Sequence, residues 1–159
     1  MEVTVGPTTK WIDQAKADAD LVFSGSETMM TDFVTALEPQ VNHRDVTPLY
    51  LRLLAILVRP GNPRRISAFE DLLRPGLSIL MVNGAGQNGA WEDAAGRKGD
   101  IGTGKALRGN ITAYARNSAE AKVTWVSDPK LDGWLIWNIC QVEGPVLAEV
   151  VNIAPDYAV

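Results

Sequence analysis

Three stretches of this chain place small hydroxyl- or amide-bearing residues where an apolar, strand-like run gives way to a helix-like pattern. Leu21-Val22-Phe23 ends in Ser24-Gly25-Ser26, and Glu27 to Phe33 follow. Leu77 to Val82 ends in Asn83-Gly84-Ala85-Gly86-Gln87-Asn88-Gly89, followed by Ala90-Trp91-Glu92-Asp93. Ile111 to Ala115 ends in Arg116-Asn117-Ser118, followed by Ala119 to Lys122. A helix start carries unpaired backbone N–H groups and the positive end of the helix dipole. Gly, Ser and Asn there let a ligand approach and add hydroxyl and amide contacts. The chemistry this pattern suits is the holding of a small anion by neutral donors, with Ser24, Ser26, Gly86, Gln87, Asn117 and Ser118 as candidate contacts. The plainer reading, ordinary helix caps in an α/β protein, stands beside it at each junction.

Other reactive arrangements are poorly supported. The one histidine, His43, lies among Asn42, Arg44 and Asp45, and there is no G-x-S-x-G elbow to supply a nucleophile. The one cysteine, Cys140, excludes an internal disulfide or a cysteine-rich metal site and is expected in the core. Gly84 to Gly89 reads G-x-G-x-x-G between a strand and a helix. The acid that dinucleotide binding wants at the end of the next strand is replaced by Arg116-Asn117. Gly104-Lys105 ends like a phosphate loop but is followed by Ala106, so this stretch is expected to be a connector between helices. The acidic pairs Glu27/Asp32 and Glu92/Asp93 lack the partners of a metal site. Neither a catalytic residue, a cofactor nor a metal is expected. Trp125, Trp134 and Trp137 are expected in the core, and Trp91 is the tryptophan placed to touch a ligand. A net charge of −4 argues against nucleic acid as a partner. Arg59 and Arg116 remain as cations that could meet a carboxylate.

The elements that must position these residues follow from periodicity and turn chemistry. With 159 residues, 46% hydrophobic and 21% charged, the chain suits one domain or two small lobes. Strands are expected at Glu2–Val5 and Ala19–Phe23, with a helix over Lys10–Asp18 capped by Thr8-Thr9 and presenting Trp11, Ile12 and Ala15 inward. A helix over Glu27–Leu37 carries Met30, Phe33, Val34 and Leu37 on one stripe. Leu49–Arg59 reads as a long extended segment able to cross between lobes, stopped by Pro60-Gly61-Asn62-Pro63. Ser67 should cap a helix over Ala68–Leu73. Beyond it come strand Leu77–Val82, helices Ala90–Arg97 and Thr103–Arg108, strand Ile111–Ala115, helix Ala119–Val126 and strands Asp132–Asn138 and Leu147–Ala154. The alternation predicts an α/β fold with a mostly parallel sheet and ligands outside the C-terminal strand ends. The longest apolar run, Leu53–Val58, is strand-sized. No basic-then-apolar leader opens the sequence, so the chain as written is expected to stay cytoplasmic.

These stretches together resemble the extracellular solute-binding proteins of ABC-type transport. The likeness is to the type II two-lobed class of sulfate and molybdate binders, and within it to accessory colonization factor C-like members. The similarity is carried by Gly6-Pro7-Thr8-Thr9-Lys10-Trp11-Ile12, by Asp20 to Glu27 and by Ala55 to Pro63. It continues through Val82-Asn83-Gly84-Ala85-Gly86-Gln87, Trp91-Glu92-Asp93, Asn117 to Ala121 and Trp134-Leu135-Ile136-Trp137-Asn138. The resemblance implies a periplasmic, non-enzymatic binder of a small anionic solute, closing two lobes on it and serving an ABC transporter membrane component. Residues 1–52 would be a partial first lobe and 53–159 a second lobe including the crossing strand. Ser24 and Ser26 would serve the first lobe. Gly86, Gln87, Asn117, Ser118 and Asn138, which ends the strand that usually lines the cleft, would serve the second. Set against the family pattern, the leader, the first strand and helix and the return to the first lobe beyond Val159 are expected to be missing from this sequence. Leu53-Leu54 also replaces the polar residues often found at the crossing. A first lobe cut at both ends is expected to self-associate through exposed apolar surface. A phosphate- or nucleotide-binding enzyme using the Gly84–Gly89 loop, and a remnant without ligand, are the alternative functions.

Overall fold

The computed structural model describes residues 2–5, 8–50, 52–84, 87–97, 99–137 and 148–157. Cα packing divides the chain into two units, Met1–Leu49 and Tyr50–Val159.

The first unit is helical. A 3₁₀ turn at Thr8–Lys10 leads into α1, Ile12–Asp18, and α2 spans Glu27–Leu37. The helix expected from Lys10 therefore begins later. Thr8 accepts a backbone bond from Trp11 N at 3.2 Å, and no side chain caps α1. Phe33 and Leu37 form the buried stripe of α2, with Met30 and Val34 half-buried beside them. Trp11 meets Phe33 edge-on, ring centroids 4.9 Å apart. The strands expected at Glu2–Val5 and Ala19–Phe23 do not form: the described residues of this unit contain no ladder. An extended segment becomes a strand only when another backbone pairs with it. Val3, Val5, Leu21 and Phe23 are left 65%, 80%, 84% and 58% exposed.

The second unit is built on a five-stranded sheet. Its strands are β1 Leu54–Val58, β2 Ile79–Val82, β3 Ile111–Ala115, β4 Gly133–Trp137 and β5 Glu149–Asn152, in the spatial order β3-β2-β4-β1-β5. β2 is parallel to β3 and β4, while β1 is antiparallel to β4 and β5, so every strand but β1 runs the same way. Helices α3 (Ala90–Gly96), α4 (Ile101–Asn110) and α5 (Ser118–Ser127) supply the covering layers. The mostly parallel α/β fold is the one the alternation predicts. The Gly99–Lys105 stretch is a connector only at its start. Asp100 caps α4 by accepting from Gly102 N and Thr103 N at 2.8 and 3.2 Å, which puts Ile101 to Lys105 inside the helix.

The strands alternate their side chains between two apolar layers. Ile56, Ile79, Met81, Leu135 and Trp137 pack with Trp91 and Ala94 of α3, Leu107 of α4 and the 3₁₀ segment Phe69–Leu73. Leu80, Val82, Trp134 and Ile136 pack on the other face against Ala121 and Trp125 of α5. The turn expected to be capped by Ser67 is closed the other way round. The Asp71 carboxylate accepts from Ser67 N and Oγ and from Ala68 N, at 2.7, 2.8 and 3.2 Å.

Candidate functional site

In the first unit the Ser24-Gly25-Ser26 turn closes on itself. Ser24 Oγ donates to Ser26 O at 2.8 Å and accepts from Ser26 N at 3.1 Å. Ser26 Oγ accepts from Met29 N at 3.2 Å and so caps α2. The two half-buried hydroxyls therefore differ. Ser24 has spent its proton on a carbonyl, whereas Ser26 serves as an acceptor and keeps its proton to donate.

In the second unit two junctions meet at adjacent strand ends. Asn83 N donates to Ala115 O at 2.8 Å and ties the segment after β2 to the end of β3. Gly84 makes this approach possible. At φ +155° a Cβ there would collide with the Arg116 carbonyl oxygen. Gln87 follows, only 6% exposed, and its Nε2 donates to Ser118 Oγ at 3.0 Å. Asn117 caps α5, Oδ1 accepting from Glu120 N at 2.9 Å. Ser118 Oγ accepts from Gln87 and retains its proton, and the Asn117 amide retains its N–H donors. The structure thus joins Gln87 to Ser118 and sets Asn117 beside them. Gly86 and Asn138 lie outside the described residues, as does Cys140.

Trp125, Trp134 and Trp137 are buried as expected, whereas the two cations considered for the site are engaged within the chain. Arg59 is committed to structure: it donates to the carbonyls of Leu131, Trp125 and Asp128 at 2.9, 3.0 and 2.5 Å. Its guanidinium lies 3.8 Å from the Trp125 ring centroid. A cation at the C-terminus of α5 answers the dipole and the last carbonyls of the helix, and desolvation there lowers its pKa. Arg116 pairs with Glu120 at 2.8 Å on the exposed surface, each holding the other in its charged form. Trp91, expected to touch a ligand, is 9% exposed and packs in the α3 layer, because its face of α3 is the apolar one. His43 is exposed in a turn closed by Asp45, whose Oδ2 accepts from Asn42 N at 2.9 Å. Burial raises the pKa of Glu92, and no carboxylate or histidine cluster able to hold a metal occurs among the described residues. No described helix is long and apolar enough to cross a membrane.

Sequence reading missed Arg52. It lies within the extended segment Leu49–Arg59 expected to cross between lobes, where a cation between Leu51 and Leu53 is the available signal. Its guanidinium carbon is 5.1 Å from the centroid of Trp137 at the C-terminal end of β4.

The profile of the family described as bacterial extracellular solute-binding protein matches residues 1–159. The structure of PEB3 from Campylobacter jejuni superposes with a TM-score of 0.74 at 32% identity, covering 97% of this chain and 68% of that one. PEB3 described as bound to L-phospholactate gives 0.75 and 33% over the same shares, 97% and 68%. The sulfate-binding protein SubI from Mycobacterium tuberculosis H37Rv shares the fold, with a TM-score of 0.60 at 19% identity over 89% of this chain and 57% of that one. Among curated protein sequences none matches.

Proposed function

The chain belongs to the bacterial extracellular solute-binding proteins, and from that premise we propose that it captures a small anionic solute, an oxyanion or a carboxylate-bearing molecule, without chemical conversion. The observation that carries this reading is the hydrogen bond from buried Gln87 to half-buried Ser118 at adjacent strand ends, with exposed Asn117 beside it. It leaves neutral O–H and N–H donors at the start of α5, a setting in which an anion gains hydrogen bonds and a favourable dipole. Ser26 supplies the equivalent hydroxyl in the first unit. In this reading residues 1–52 belong to the first lobe and 53–159 to the second. Ser24, Ser26, Gly86, Gln87, Asn117, Ser118 and Asn138 are the ligand-contacting set. The solute would be handed to an ABC transporter membrane component from the periplasmic side. The similar PEB3 structure described with L-phospholactate, a molecule bearing phosphoryl and carboxylate groups, supports an anion as the ligand class.

The test is a thermal-shift screen of oxyanions, dicarboxylates and amino acids, followed by calorimetric titration of whatever raises the melting midpoint. Ser26→Ala should weaken binding by about 1 kcal/mol, the worth of one hydroxyl bond. Saturable micromolar binding of an adenine or nicotinamide nucleotide, with no response to small anions, would refute the reading in favour of an enzyme built on the Gly84–Gly89 loop.

A further inference from the structure

We propose that Arg52, stacked on Trp137, is the cationic contact of the second unit and selects a solute bearing a carboxylate or phosphoryl oxyanion. The proposal rests on the solute-binding reading and assigns it a specificity-determining residue.

The argument begins with unmet hydrogen bonds. Arg52 Nε and Trp137 Nε1 are both buried without a hydrogen-bond partner among the described residues. The two belong to one stack, with the guanidinium carbon 5.1 Å from the ring centroid. Each is a donor with no acceptor capacity, and one is permanently cationic. A buried donor left unmade is costly, and more so when it is charged. The group that would complete this stack must therefore accept hydrogen bonds and carry negative charge. No described carboxylate supplies it. Arg64 pairs with Asp132, Arg74 with Asp71 and Arg116 with Glu120, whereas Arg52 has no such pair among the described residues. Trp134 Nε1 is also unpartnered, but it lies in the opposite layer with α5.

Position supports the assignment. Among the described strands β1 alone runs backwards, and Leu54 pairs with Trp137, so Arg52 enters at the edge where β2 and β4 end. That is the edge carrying Gln87. Arg52 precedes β1, and its stack on Trp137 sets it against the layer of Leu54 and Trp137, which includes α3. β1 and β2 are separated only by β4, roughly 10 Å between axes at the usual strand spacing. A guanidinium offers a planar fork suited to two oxygens of one anion, and its ring contact pre-orients it.

The experiment uses the whole chain and the probes L-phospholactate, inorganic phosphate, inorganic sulfate and the uncharged lactamide. Affinity is measured by calorimetry, and the ligand-free melting midpoint is recorded for every variant. The expected result is that wild type binds the anions and not lactamide. Arg52→Gln should weaken anion binding about ten- to a hundredfold, the effect of one charge-assisted contact. Arg52→Lys, which keeps the charge but loses the fork, should fall between. The ligand-free midpoint of Arg52→Gln should match or exceed wild type, because an unpaired, half-buried charge has been removed. Unchanged anion affinity in Arg52→Gln overturns the assignment and leaves solute binding standing; a lowered ligand-free midpoint in that case identifies Arg52 as a packing strut. Binding of lactamide as tight as that of the anions overturns the assignment together with the anionic reading, and leaves only solute binding standing. A wild-type chain that answers no probe overturns both the assignment and the anionic reading it rests on.

Discussion

Replacing Ser118 with alanine removes the acceptor of Gln87 Nε2, now 3.0 Å away. Gln87 is 6% exposed, so its amide cannot simply turn to water. Leaving a buried donor unsatisfied costs about 1–3 kcal/mol. Ser118 itself is half-buried, and water entering from its side should recover part of this, which puts the expected loss near 1–1.5 kcal/mol. In a unit of this size that is a fall of roughly 4–8 °C in the melting midpoint. Gln87→Leu removes the donor instead, and the orphaned Ser118 hydroxyl can turn towards solvent, so the double variant should be little worse than Gln87→Leu alone. Urea unfolding followed by tryptophan fluorescence reads the cycle, since Trp91, Trp125, Trp134 and Trp137 all lie in the second unit. The expected coupling is about 1 kcal/mol. Additive single effects, or a Ser118→Ala change below about 0.3 kcal/mol, would refute the claim that this pair organises the junction.

Arg59→Met should lower stability by about 2–4 kcal/mol in chemical denaturation, because the carbonyls of Leu131, Trp125 and Asp128 lose a charged donor at once; a smaller loss than Ser118→Ala would show those bonds to be dispensable. The Asp71 carboxyl is held below its usual pKa, chiefly by the backbone N–H of Ser67 and then by its hydroxyl. Its contribution is complete above the unfolded carboxylate range and disappears as pH falls through the lower folded value. Asp71→Asn should therefore flatten the acid limb of the stability–pH curve, and an unchanged limb would count against the cap. Exposed Val3, Val5, Leu21 and Phe23 predict self-association of the chain. Sedimentation at rising concentration should show it weakened by Leu21→Ser with Phe23→Ser, and a wild-type monomer throughout would dismiss it.

Local elements were largely legible in the sequence. The Glu27–Leu37 helix is observed as expected, and the helix expected over Ala119–Val126 runs from Ser118 to Ser127. Periodicity and an N-cap are set by neighbours within a few residues. The direction of the sheet was legible for a similar reason, since strand–helix alternation constrains handedness and pairing. The strands expected at Glu2–Val5 and Ala19–Phe23 failed because a strand exists only with a partner, which no alternation pattern supplies by itself.

What the sequence alone determined about this protein is its local grammar: where helices start, which faces are apolar and where neutral donors gather. Which side chains remain available was decided only by the tertiary structure. Arg59 looked free in the sequence, yet its acceptors lie 66 to 72 residues farther along the chain. Arg52 looked like an interruption of an apolar run, yet it stacks on Trp137, the register partner of Leu54. The physical reason is that a donor's freedom depends on the acceptors that folding brings within about 3 Å, and for these two arginines the groups that decide it lie on distant parts of the chain.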